Sequence, residues 1–339
     1  MSDHAFADAA AAVARGRAAG DPPALAEALE ALASAALKGA ELPAAASALE
    51  EAGGLWLGLG RMDRAGSSLL LAAATWRLAQ DPDAAQRVLE RGLAAPLPDR
   101  LGDGFATEAC EQALARGDAE KALACFRKLR DRLEETAEPL TRARLLERSA
   151  AAALACGRPR DGADDLLGAA TLYTGHGAPA DGEAAALAAA AVLADLDTGA
   201  AERIVAEIAA EPPADGAAAA RRGLVSGRVA ARAGNQRSAL ERFDGARQGA
   251  LDCRDPISYL AAAAEGAAAA EACGLMEAAY ERLATAWATL SDLMGPESAR
   301  ELVRPALQGL RDRLGAARFN AVRAAYEARR RADRADARG

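Results

Sequence analysis

The chain has 339 residues and a formal net charge of −8, and 51% of it is apolar while only 4% is aromatic. That balance disfavours a non-specific grip on nucleic acid or anionic membrane. No apolar run reaches the roughly 20 residues that span a bilayer. Most of the apolar share is Ala, which packs helices closely and cannot fill one wide core.

The N-terminal stretch MSDHAFADAAAAVARG carries acids where a secretory leader needs bases. Residues 1–22 are therefore expected to be a capping helix, and the protein cytoplasmic and without membrane contact. Lysine occurs only at Lys38, Lys121 and Lys128, a codon bias that points to a high-GC, bacterial genome. Five cysteines, Cys110, Cys125, Cys156, Cys253 and Cys273, are odd in number and form no C-x-x-C pair. They are expected to be buried free thiols in a reducing compartment, with Cys110 and Cys156 replacing Ala in packing.

From residue 23 to 294 one pattern recurs. Its anchors are Ala40, Gln80, Gly117, Gly157, Leu196, Gly234 and Gly274, spaced 37 to 40 residues apart. Five residues beyond an anchor stands a small residue, nine beyond a large apolar one, and twelve beyond a small one again. Gly234 is followed by Ala239, Phe243 and Ala246, and Gly274 by Ala279, Leu283 and Ala286. Gly157 is followed by Gly162, Leu166 and Ala169. Gly117 keeps Ala122 and Phe126, but Leu129 takes the last small position. Seven residues before the anchors stand Ala33, Ala73, Cys110, Ala150, Ala189, Gly227 and Ala267, again small. A fixed period in this range is the mark of a stacked helical repeat. The anchor closes one helix in a left-handed turn, and the following small and large residues share one face of the next helix. Gly60, with Ala65, Leu69 and Ala72, fits the same offsets at half phase and reads as a chance match in an Ala-rich chain. Asp21-Pro22, Asp81-Pro82 and Asp255-Pro256 each put a capping acid before a proline in the first turn. The stretches TGHGAPADG, from Thr174, and AEPPADG, around Pro212, read as loops between repeats.

The small, glycine, small, large, small sequence resembles the tetratricopeptide repeat over about Ala24 to Leu290. The period near 39 exceeds that family's 34, and its first-helix aromatics are replaced by Ala and Leu. The resemblance implies an all-α, right-handed solenoid of about seven helix pairs in a single domain. Residues 295–334 are expected to add a C-terminal helix pair, and 335–339 a tail. The segment LRDRLGAARFNAVRAAYEARRRADR, above all its RLGAARF, is similar to the end of the sensor arrays in LuxR-type and AfsR-type bacterial regulators. Those regulators also carry an ATPase domain, and the chain holds no G-x-x-x-x-G-K-[ST].

Catalytic chemistry finds little support. His4 and His176 have no acid or Cys at ligand or triad spacing. Asp161, Asp164 and Asp165 crowd a helix start, where the dipole favours acids without any metal. Trp56, Trp76 and Trp287 read as packing residues, and the Arg-rich end from Arg329 to Arg338 as a solubilising terminus. No cofactor or metal is expected. In a tetratricopeptide-like array the first helix of each pair lines the concave face. Arg144 and Arg221 occupy equivalent slots there, and Arg221, Arg228 and Arg232 share a helix face at offsets of 7 and 11. They are the candidate partner-binding residues, suited to an acidic peptide or a carboxylate. The function expected is a non-catalytic protein- or peptide-binding scaffold, with a ligand-responsive bacterial regulatory module as the alternative.

Overall fold

The structure, a computed structural model, describes residues 2–134 and 136–336, and the side chains of 5–98, 101–134 and 136–332. It contains seventeen α-helices and no strand among the described residues. The helices fall into two compact units, divided after Arg158. The first holds α1 (Ser2–Ala19), α2 (Pro22–Lys38), α3 (Leu42–Gly58), α4 (Met62–Leu78), α5 (Pro82–Ala94), α6 (Asp99–Ala115), α7 (Ala119–Leu133) and α8 (Pro139–Ala155). The second holds α9 (Pro159–Gly175), α10 (Pro179–Leu193), α11 (Thr198–Ile208), α12 (Gly216–Arg232), α13 (Gln236–Asp252), α14 (Pro256–Ala272), α15 (Met276–Met294), α16 (Pro296–Leu314) and α17 (Ala316–Asp336).

The joints explain the period. Residues 40, 80, 117, 157, 234 and 274 all have positive φ, from 59° at Ala40 to 81° at Gly234. In each case the next residue donates its N–H to the carbonyl five positions back, closing the helix in a Schellman-type turn. Examples are Glu41 to Ala36, Asp118 to Ala113 and Asn235 to Ala230, each at 2.9 Å. Leu196 is the exception: it has no positive φ, and α10 ends through Asp197 N–H bonding to the Leu193 carbonyl at 2.7 Å. The half-phase match at Gly60 is not accidental. Gly60 has φ +68° and closes α3, and Ala65, Leu69 and Ala72 are fully buried. Gly177 and Arg254 do the same at φ +83° and +54°. Each helix is therefore its own copy of the motif. Pro22 opens α2 and Met62 opens α4 forty residues later, so the long period is two helices with their joints. The stretch from Thr174 to Gly182 is likewise no extended loop: α9 runs to Gly175 and α10 resumes at Pro179.

Capping follows the same economy. Asp21 accepts from Ala24 N–H at 3.2 Å, Asp81 from Ala84 at 2.9 Å, and Asp255 from Ile257 and Ser258 at 3.0 and 3.1 Å. Proline follows each, where no N–H is needed. The small and large positions of the motif are buried except Ile208, twelve beyond Leu196, which is half-buried; Ala45, Ala122, Phe126, Ala239 and Ala279 are at 0% exposure. Trp56 is buried too, its indole N–H bonded to Glu30 at 2.8 Å and the Arg64 guanidinium 4.2 Å above its ring.

The cysteines depart from expectation. Cys110 on α6 and Cys125 on α7 form a disulfide, their Cα atoms 5.4 Å apart. They lie seven before and eight after the Gly117 joint, facing each other across the hairpin in the core with Phe126. Cys156, Cys253 and Cys273 are free, and each caps a helix C-terminus just before a left-handed residue; Cys156 is half-buried and the other two are exposed, so none is a buried thiol. Free buried thiols therefore no longer argue for a reducing compartment.

The register can be checked directly. Gly234→Val places a β-branched residue at φ +81° and is expected to cost about 1–2 kcal/mol. Gly245 is exposed within α13, and an added Cβ meets nothing within 4 Å, so Gly245→Ala should be neutral or stabilising by up to about 1 kcal/mol. Urea denaturation of the two variants reads the difference, and equal losses would show the joint misplaced.

Candidate functional site

The even-numbered helices stand side by side. In the second unit α10 touches α12, α12 touches α14, and α14 touches α16, beyond their contacts with sequence neighbours. Charged side chains tie these helices one repeat apart. Arg228 on α12 forks onto Glu265 on α14, its Nε 2.9 Å from both carboxylate oxygens. Arg232 Nε forms an ion pair with Asp195, beyond the end of α10, at 2.8 Å. Arg222 grips Glu183 on α10 with two bonds of 2.6 Å. In the first unit Arg77 on α4 makes the same kind of fork onto Glu108 on α6, at 2.7 and 3.1 Å. In the second unit the 37 to 39 residues between such partners are the helix-pair period seen in charge; Arg77 and Glu108 lie 31 apart.

Three of the four candidate arginines come together. Arg221, Arg228 and Arg232 lie on α12, all exposed. Arg221 and Arg228 line one small cavity of about 260 Å³ with Asp255 and Ser258. Arg228 and Arg232 rim a second of about 490 Å³. The second is lined by Ala191, Ala194, Ala231, Ala268 and Ala269, with Phe243 between α12 and α14. The floor is smooth because Ala is all that fits where these helices approach. Glu265 holds the Arg228 guanidinium charged, above its ordinary range, through the direct hydrogen bond. Arg232 and Asp195 are 63% and 62% exposed, so their pair contributes little and exchanges readily. Arg221 makes no ion pair among the described residues. Arg144 is exposed on α8, in the first unit, and is not described relative to the other three.

The remaining candidates are structural. His176 lies in the joint between α9 and α10. Asp161 falls in the first turn of α9 and Asp165 is buried on the same helix. Among the described residues no group of three or more His, Cys, Asp or Glu is arranged to hold a metal. No helix of the described residues is long and apolar enough to cross a membrane. The side chains of His4, Asp333, Arg334 and Asp336, and the whole of Arg338, lie outside the described residues. What sequence reasoning missed are the acids: Asp195 and Glu265 belong to the same face as the arginines, and the signal for them was a partner 37 residues away.

No family model matches the chain, and no characterised protein matches it in sequence. Solved structures do. The apo form of the quorum sensor NprR from B. thuringiensis superimposes with a TM-score of 0.57 at 13% identity, covering 79% of this chain and 78% of that one. BtubC (BKLC) from P. vanneervenii gives 0.44 at 16% identity, over 75% of this chain and 93% of that one. The TPR domain of P58(IPK) gives 0.28 at 13% identity, over 90% and 98%. With its α-helices joined through short left-handed turns and its likeness to the NprR fold, the chain folds as a tetratricopeptide-repeat-like helical array.

Proposed function

We propose that the chain is a non-catalytic module that binds an acidic segment of another protein on the face of α10, α12 and α14. The observation that carries this reading is the Ala-floored groove of about 490 Å³ rimmed by Arg228 and Arg232, with Arg221 continuing the row along α12. An incoming carboxylate meets Arg221 with no internal competitor, and displaces the exposed Asp195 from Arg232 at little cost. Arg228 stays clamped to Glu265 and fixes the spacing of α12 and α14. Repeat arrays of this kind present extended binding surfaces. A second reading, a ligand-responsive sensor in a bacterial signalling system, is favoured by the fold likeness to a quorum sensor.

The test is fluorescence anisotropy with a labelled decapeptide of alternating Glu and Leu. Wild type should bind it saturably and lose affinity as ionic strength rises, since exposed charges are screened within about 8–10 Å. Arg221→Glu with Arg232→Glu should weaken binding at least about ten-fold and leave the melting temperature within a few degrees. Arg228 is left alone in this variant, because its reversal would set a carboxylate against the half-buried Glu265, whereas Asp195 beside Arg232 is exposed to water. Binding that is indifferent to the double reversal and to salt would remove the reading.

A further inference from the structure

Most of the helices in the second unit run 15 to 21 residues, but α11 has only 11. Its missing turns are replaced by the stretch 209–215, with Pro212 and Pro213, which cannot continue a helix. A groove of about 880 Å³ opens there, between the ends of α9 and α11 and the starts of α10 and α12. It lies at the helix ends rather than in the groove proposed above. Small residues make its floor, Gly182 and Ala186 of α10 among them, and the half-buried Leu167, Ile204 and Ile208 make its walls.

The rim is fixed. Arg222, only 16% exposed, holds Glu183 with both of its carboxylate bonds and also donates to the backbone carbonyl of Glu211. The guanidinium therefore pins the 209–215 stretch to α10 and α12 in advance of any partner. It is itself neutralised by Glu183. Asp215 spends its carboxylate on capping α12, accepting from Ala218 N–H at 2.8 Å. The exposed Glu207 and Glu211 make no ion pair among the described residues, and Arg221 is the groove's remaining cation. Counting all six, four carboxylates face two guanidiniums, so the groove is acidic.

We infer that this groove is a second docking site, and that it takes a short basic peptide segment: an aliphatic side chain seated between Leu167, Ile204 and Ile208, with an adjacent Arg or Lys on Glu207 and Glu211. The volume matches a few side chains. The walls supply the apolar burial, and the unmatched carboxylates select the sign of the flanking charge.

The probes are two labelled, acetylated and amidated octapeptides, each with a central Leu-Leu, one flanked by Arg and the other by Glu. The Arg peptide should bind saturably, at least ten-fold tighter than the Glu peptide. Glu207→Lys with Glu211→Lys should invert that preference. Ile208→Asp should abolish binding of the Arg peptide, with helical circular dichroism unchanged. Arg232→Glu, which weakens the acidic peptide on the α12 face, should leave it untouched, so the two sites fail separately. Absence of saturable binding, equal affinity for both peptides, or a preference that survives the reversal at Glu207 and Glu211 would overturn the proposal.

Discussion

Replacing Gly223 with leucine is expected to destabilise the second unit by about 3 kcal/mol or more, lowering the urea midpoint while a Gly245→Leu control loses far less. An added Cβ at Gly223 meets the Cβ and backbone nitrogen of Ala246 at 2.7 Å and its Cα at 2.8 Å. Two of those atoms are main chain, so no rotamer relieves the clash and α12 must separate from α13. The seam is continuous. A Cβ added at Gly216 would meet the Gly249 carbonyl oxygen at 2.8 Å, one added at Gly249 would meet the Gly216 carbonyl oxygen at 2.8 Å, and one added at Gly227 would meet the Phe243 ring at 2.5 Å. Gly245 sits on the outer side of α13, where nothing lies within 4 Å. A small loss at Gly223 would mean that the two helices are not in van der Waals contact along this line.

Phe126→Ala is expected to cost about 3–5 kcal/mol, the usual range for emptying a fully buried aromatic site. Phe126 is 0% exposed and shares a core with Leu123, Leu129, Leu145 and the Cys110–Cys125 pair. Ala122, Ala152 and Ala153, fully buried in the same core, have few side-chain atoms with which to close the cavity. Leu78→Ala is the control: Leu78 is 58% exposed and its truncation should stay within about 0.5 kcal/mol. Guanidinium denaturation followed by circular dichroism reads both, and similar losses would displace Phe126 from the core.

The positions Phe126 and Gly234 show what a single sequence makes legible. A residue that must be left-handed and a ring that must fill a crossing leave their types at fixed offsets, and the named small and large residues that follow Gly117 and Gly234 are buried in the structure. Gly60 marks where the reading stopped short. A pattern with a long period was read in pairs, whereas the physical unit is the single helix, and each helix needs the same joint and the same small-residue crossing. Ala40, Gln80 and Arg254 adopt positive φ without being glycine, at 59°, 63° and 54°, so glycine spacing alone hides a quarter of these joints. The disulfide was illegible for another reason. Cys110 and Cys125 have no spacing signature of their own and become neighbours only once the Gly117 joint folds α6 back onto α7. The arginines of α12 were found by helical periodicity, but their acids lie on other helices, and the shortening of α11 that opens the acidic groove was announced only by Pro212 and Pro213.

Hydrogen exchange read by mass spectrometry, on the chain alone and saturated with the Glu-Leu decapeptide, tests most directly whether the α12 row is a binding surface. Amides of α12 and of the facing parts of α10 and α14 should exchange more slowly in the complex, because a ligand that holds these helices together suppresses their local opening. Protection confined to α13 and α15, or spread evenly over the second unit, would contradict it.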